Sequence, residues 1–210
     1  MKVLNLYAGI GGNRKLWGGV EVTAVELNPE IAHIYSDFYP DDEVIIDDAN
    51  QYLLNNYKKF DFIWSSPPCQ SHSKMRFLAS KSGSYDAIMP DLSLYSEIIF
   101  LKNFCDNKKW IVENVNPYYD PLIYPTLKLG RHLIWSNFHI IKLDYSDNLT
   151  HNERGSSNKG FFDLTGYKLD HRKDQIIRNS VNPELGLHIY NCMLGIRTKL
   201  DVEQQDLFNP

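Results

Sequence analysis

Residues 1–13 read Met1-Lys2-Val3-Leu4-Asn5-Leu6-Tyr7-Ala8-Gly9-Ile10-Gly11-Gly12-Asn13, an apolar run that passes directly into a glycine-rich turn. A strand from Val3 to Tyr7 that ends in closely spaced glycines at a helix start lets backbone approach a ligand. Position 14 is Arg14, where a dinucleotide fingerprint wants a third glycine, so a pyrophosphate site is disfavoured. Outward from this turn, β-branched or aromatic runs recur at Val22 to Val25, Val44 to Ile46, Phe60 to Ser65, Trp110 to Glu113 and His132 to Trp135. Helical stretches separate them as far as about Phe138, which predicts an α/β fold with a mostly parallel sheet and helices on both faces. Asn28-Pro29-Glu30 opens one helix, Pro90-Asp91 another with Asp91 as N-cap, and a last helix follows Asn182-Pro183. In the second of these, Leu94, Ile98, Leu101 and Cys105 share a face, so Cys105 reads as core; Cys192, beside Leu185 and Ile189, reads the same way.

The chain has 210 residues, 43% hydrophobic and 23% charged, the profile of one globular domain with a core large enough to need no disulfide or metal staple. Three cysteines without a C-x-x-C pair argue against a disulfide framework or a structural zinc site, and fit a reducing cytoplasm. No stretch reads as a signal peptide or a membrane span. The net charge of −4 means that a polyanion partner must be met by local positive charge. From Asp144 to about Lys159 the composition turns polar and reads as a loop, and the last ten residues read as a frayed tail.

Glu26 closes the second strand and can accept from both hydroxyls of a ribose, while Asp47-Asp48 ends the third and can take an adenine amino group. Glycines, a Glu and an Asp on three successive strand ends frame an adenosine without demanding phosphates, which suits S-adenosylmethionine better than NAD.

The fourth strand runs into Ser66-Pro67-Pro68-Cys69-Gln70-Ser71-His72-Ser73. A cysteine fixed by two prolines on a polar loop, at the carboxyl end of a strand where ligands of open α/β sheets bind, reads as a nucleophile. The chemistry that needs it is methylation of an unreactive ring carbon, in which a thiolate adds to C6 of a pyrimidine and makes C5 nucleophilic. A carboxyl group near N3 assists that addition, and Glu113, at the end of the fifth strand, supplies one. Its apolar surroundings predict a raised pKa and a proton-donating form.

On these residues the sequence resembles the cytosine-C5 DNA methyltransferase family, particularly short bacterial or phage-type members. Tyr7-Ala8-Gly9-Ile10-Gly11-Gly12 is similar to its cofactor loop, Glu26-Leu27 to its ribose-binding acid and neighbour, and Asp48-Ala49 to its adenine contact. Pro67-Pro68-Cys69-Gln70 is similar to the nucleophile motif, with Pro68 on the cofactor side. Glu113-Asn114-Val115 resembles the Glu-Asn-Val motif, and Arg178-Asn179-Ser180-Val181 the late Gly-Asn-Ser-Val segment. The resemblance implies a Rossmann-like S-adenosylmethionine-dependent methyltransferase fold and methyl transfer to C5 of a flipped cytosine in DNA, with S-adenosylhomocysteine as product. It implies Cys69, Glu113, Asn114 and Arg131 as catalytic residues, and Tyr7 to Gly12, Glu26, Leu27, Asp48, Ala49, Pro68, Asn179 and Ser180 as cofactor contacts.

Two departures stand out. Leu129-Gly130-Arg131-His132-Leu133 keeps one arginine of the family's Gln-x-Arg-x-Arg segment and puts Leu133 at the other, and Arg178 replaces the late glycine. Between His139 and Ile177 only about forty residues stand where family members usually insert a target-recognition domain. The division expected is a catalytic core at 1–138, a reduced recognition region at 139–177, a C-terminal helix at 178–195 and a tail at 196–210. Relaxed sequence recognition follows, since base-edge readout needs a rigid element in the groove.

The partner expected is double-stranded DNA, gripped by Gln70, Ser73, Lys74, Arg76 and Lys81 after the nucleophile. Lys128, Arg131, His132, Arg172, Lys173 and Arg178 extend the basic surface. The alternatives are the same chemistry on RNA or a free cytosine nucleotide, or a silent DNA- or cofactor-binding subunit whose partner protein reads sequence. No Cys-Phe-Thr segment of the RNA-acting relatives is present.

Overall fold

The computed structural model describes residues 1–143 and 158–196. Seven strands form one sheet: β1 (Lys2–Leu6), β2 (Glu21–Val25), β3 (Glu43–Ile45), β4 (Phe62–Ser65), β5 (Lys109–Val115), β6 (Leu127–Leu129) and β7 (His132–Ser136). Their order is β3-β2-β1-β4-β5-β7-β6; the first five run parallel, and β7 is antiparallel to both its neighbours. The order reverses beside β1, so the chain leaves the paired carboxyl ends of β1 and β4 in opposite directions and a crevice forms there. A second hairpin pairs β8 (Asn158–Lys159) with β9 (Phe162–Asp163).

Because side chains alternate across a strand, each sheet face carries its own core. On one face Leu4, Leu6, Ile63, Val112, Leu133 and Trp135 pack against α2 (Ala49–Asn56) and α4 (Ser93–Phe104). On the other, Val3, Val22, Phe62, Trp64, Ile111 and Ile134 pack against Trp17 and α6 (Pro183–Leu194), while α1 (Pro29–Phe38) covers Ala24. Among the described residues no helix is long and apolar enough to cross a membrane.

The α1 helix begins as its sequence suggests: Asn28 caps the backbone N–H groups of Glu30 and Ile31, with Pro29 at the first turn. Asn182 caps α6 in the same way. Asp91 is not the N-cap of α4; Leu92 holds that position, and Asp91 Oδ1 accepts from the Ser93 N–H two residues on. The strand β3 starts at Glu43 and stops at Ile45, one residue earlier than the apolar run that encodes it, and β4 starts at Phe62, two residues later than its run. The strand β6 and the helices α2, α3 (Lys74–Lys81) and α5 (Lys173–Asn179) have sequences too polar or too short to announce them. Cys105 is fully buried as expected, whereas Cys192 sits half-buried at the edge of its cluster. Of the predicted polar loop, Asn158–Lys159 form β8; residues 144–157 and the tail from 197 lie outside the described residues.

The glycine turn is built by close approach. A Cβ on Gly12 would lie 2.2 Å from the Val181 carbonyl oxygen, and one on Gly186 would lie 2.4 Å from that of Asn13. The last helix therefore lies directly against the first turn, and the Trp17 indole N–H donates to the Gly186 carbonyl at 3.1 Å. Arg14, standing where the third glycine of a fingerprint would be, makes a bidentate pair with Asp42 at 2.8 and 2.9 Å. It braces the turn rather than a phosphate.

Candidate active site

The carboxyl ends of β1, β2, β4 and β5 open into one cavity of about 690 Å³, within the range of small-molecule sites. Its wall brings together Tyr7, Ala8, Gly9, Ile10, Gly12, Glu26, Leu27, Asp48, Ala49, Pro68, Cys69, Gln70, Glu113, Asn114, Arg131, Asn179 and Ser180, all named from the sequence. Gly11 is not among the lining residues; it is wedged against Tyr35 and Tyr39, whose hydroxyl donates to the Gly11 carbonyl at 2.7 Å. Ser73, Lys74, Arg76 and Lys81 also stand outside the wall. Ser73 caps α3 and the other three lie on that helix, where Arg76 stacks on Tyr85.

On the β1–β3 side, Glu26 is held by backbone: its two oxygens accept from Gly9 N at 3.0 Å and Asn28 N at 2.9 Å. Each carboxylate oxygen retains a lone pair for a ribose hydroxyl. Asp48 is exposed, lines the cavity, and caps α2 through Gln51 N at 2.8 Å. Tyr7, which carries a positive φ of 52°, donates its hydroxyl to Glu97 at 3.1 Å beneath this wall. Burial drives Glu97, 2% exposed, up to about 7. An acid at a ribose position, a second acid past it and a glycine turn without a cationic phosphate clamp fit an adenosine that carries no phosphate. The residues thus suit S-adenosylmethionine.

On the β4–β5–β7 side, side chains hold one another across elements. Asn114 Nδ2 donates to the Pro67 carbonyl at 3.0 Å, fixing the turn that carries Cys69. The loop beyond is tied down by His72, whose N–H donates to the Cys69 carbonyl at 3.1 Å and whose ring bonds the Tyr119 hydroxyl. Cys69 is half-buried, and burial pushes its thiol up; the carboxylate of Glu113 adds to this, while the Arg131 guanidinium opposes it.

Glu113 corrects the expectation drawn from its apolar strand. Although burial favours the neutral acid, His132, a hydrogen bond from Ser66 and the Arg131 charge outweigh it and hold the carboxyl below its usual range. His132, read as part of a basic surface, is buried against Glu113, which accepts from it. Arg172 and Arg178, read likewise, are both paired with buried Asp174, at 2.9 and 3.2 Å. The contact of His132 with Glu113 is the site feature that the sequence reading missed. Its signal was the residue beside Arg131 at the start of a strand antiparallel to that of Glu113.

Strand order 3-2-1-4-5-7-6 with an antiparallel seventh strand, and a ligand crevice at the strand ends, define a Rossmann-like methyltransferase fold. More narrowly, the chain belongs to the C-5 cytosine-specific DNA methylase family, whose model matches residues 1–121. Type II methyltransferase M.HgiBI of Herpetosiphon aurantiacus is 28% identical over 123 residues, covering 57% of this chain and 27% of its own. The tRNA (cytosine(38)-C(5))-methyltransferase of Spodoptera frugiperda is 30% identical over 126 residues, covering 56% and 36%. A crystal structure of a mutant Spodoptera frugiperda DNMT2 aligns at a TM-score of 0.41 and 26% identity, covering 54% of this chain and 35% of that one. The chain spans about a third of the length of the curated relatives it matches.

Proposed function

We propose that this protein transfers a methyl group from S-adenosylmethionine to C5 of cytosine in double-stranded DNA. The observation that carries the reading is that Cys69 and Glu113 face one cavity whose opposite wall, Gly9, Glu26 and Asp48, suits an adenosine. Cys69 adds through its sulfur to C6 of a flipped base, and Glu113, a carboxylate before the base enters, takes up a solvent proton as the base displaces water and gives it to N3, leaving C5 nucleophilic. Asn114 keeps the Cys69 turn at its distance from Glu113. Tyr7 and Leu27 pack against the cofactor, and Asn179 and Ser180 close its wall from the segment before α6. S-Adenosylmethionine, when bound, supplies an electrophilic methyl group. The thiolate form of Cys69, disfavoured by burial, is supported by Arg131.

Residues 1–138 serve as catalytic core, 139–177 as a reduced recognition region and 178–195 as the returning helix. Gln70, Ser73, Lys74, Arg76 and Lys81 meet the duplex, and the protein works in the cytoplasm. With so small a recognition region, base preference is short or relaxed, and a methylation map with one strict site of six or more base pairs contradicts it. The decisive experiment is trapping on duplex DNA containing 5-fluorocytosine with cofactor present. A covalent complex that disappears in Cys69→Ala is expected. Its absence on every duplex, with transfer to RNA or dCMP instead, would move the substrate to the other nucleic-acid class.

A further inference from the structure

Pairing of β5 with β7 places Glu113 opposite Ile134 and Val115 opposite His132. Glu113, Ile134 and His132 therefore project from one face, and Leu133 from the other, where it is core beside Val112 and Trp135. Diagonal neighbours on such a ladder are within reach of long side chains. His132 Nδ1 meets Glu113 Oε1, with the two residues only 4% and 6% exposed. The second ring nitrogen, Nε2, accepts from Arg131 Nε at 3.2 Å. An arginine N–H is a permanent donor, so the ring hydrogen sits on Nδ1 and is donated to Glu113. Arg131 is itself fixed by donating Nη2 to the Arg178 carbonyl at 3.0 Å.

We propose that His132 is a positioning residue for Glu113: its Nδ1–H is donated to Oε1, so that the proton Glu113 takes up as the base enters, and gives to N3 of the flipped cytosine, is carried on Oε2. The role rests on the function proposed above for Glu113. As the Cys69 sulfur bonds to C6, the ring π electrons shift towards N3, which takes the proton from Oε2. Glu113 is left a carboxylate, still accepting from His132, and the imidazole keeps its own hydrogen throughout. The residue at 133, which faces the opposite core, has no part in this.

The groups around the pair are Cys69 and Ser66 from the end of β4, Arg131 from the turn before β7, and Arg178 with Asp174 from α5. His132 and Arg131 favour the carboxylate, so loss of the ring hands control to burial and raises the pH at which Oε2 gives up its proton.

The test compares His132→Leu with His132→Gln, whose amide N–H can still donate to Oε1. Two readouts are used: the pH profile of single-turnover methyl transfer to duplex DNA, and the carbon NMR titration of Glu113 in protein labelled at the glutamate carboxyl. In His132→Leu the alkaline limb and the Glu113 titration both move up by about one pH unit, and the plateau rate falls roughly tenfold. His132→Gln returns the rate to within about threefold of the parent. Unchanged limb and titration in a His132→Leu protein with native circular dichroism would overturn the proposal. The NMR titration needs neither cofactor nor DNA. A shifted titration in a protein that methylates no cytosine would therefore sink the function reading and leave the His132 contact standing.

Discussion

The two walls of the cavity are built in different ways. On the β1–β3 side, the acidic groups are held by backbone N–H groups: Glu26 by those of Gly9 and Asn28, Asp48 by that of Gln51. On the β4–β5–β7 side, side chains reach from one element to another. Asn114 holds the Pro67 carbonyl, His132 holds Glu113, and Arg131 joins His132 to the backbone before α6. The first wall is held by backbone and suits a cofactor; the second is held by side chains that meet only once the sheet has assembled, and carries the groups proposed for the reaction. Binding and chemistry should therefore respond separately to substitution.

The largest separation is expected from Cys69→Ala. Methyl transfer falls by at least about 10³-fold while cofactor affinity, read by calorimetry, stays within about twofold. A matching loss of cofactor affinity would mean that the two walls are one unit.

Next is Glu97→Gln, under the cofactor wall. The carboxyl titrates near 4.5 when exposed and at about 7 in the fold, so folded protein binds the extra proton between those values. Its contribution is complete below about pH 4.5 and is lost as pH rises through 7. Glu97→Gln should therefore stabilise the protein by about 3 kcal/mol at pH 8 and by little at pH 4.5, measured by urea unfolding. Equal effects at both pH values would show that the carboxyl carries no proton in the fold.

Asn114→Ala removes the donor to a buried carbonyl and should cost about 2 kcal/mol of stability. Methyl transfer should fall roughly tenfold more than cofactor affinity, because the Cys69 turn loses its fixed distance from Glu113. The smallest effect is expected from Lys81→Ala at the end of α3, which should lower the salt slope of DNA binding by about 1 without changing base preference. An unchanged slope would remove Lys81 from the contact surface.

The same contrast explains what was legible in the sequence. The glycine turn, Glu26, Asp48 and the Pro67-Pro68-Cys69 loop announce themselves because short runs of neighbours encode them, and the alternation of apolar runs encodes the mostly parallel sheet. The His132 contact is invisible until the register of β5 and β7 is known, since a one-residue slip would put Leu133 in its place. For the same reason the pKa of Glu113 was misread: its own strand is apolar, and the groups that hold its charge come from the β6–β7 hairpin. The helix α3 is not legible in the basic segment after the nucleophile because its exposed residues, Met75 and Leu78 among them, give no amphipathic pattern.

The contact of α6 with the glycine turn also bears on synthesis. Trp17 meets Gly186 across 169 positions of chain, and Gly12 meets Val181 with no space for a side chain. At roughly 5–20 residues per second a ribosome takes on the order of ten to thirty seconds to make that interval. Throughout it the first turn exists without its last wall. A nascent chain can thus form the parallel strands early, but gains its complete methyl-donor pocket only when nearly all of these residues have left the ribosome. Premature release before Asn182 should yield protein that captures no cofactor.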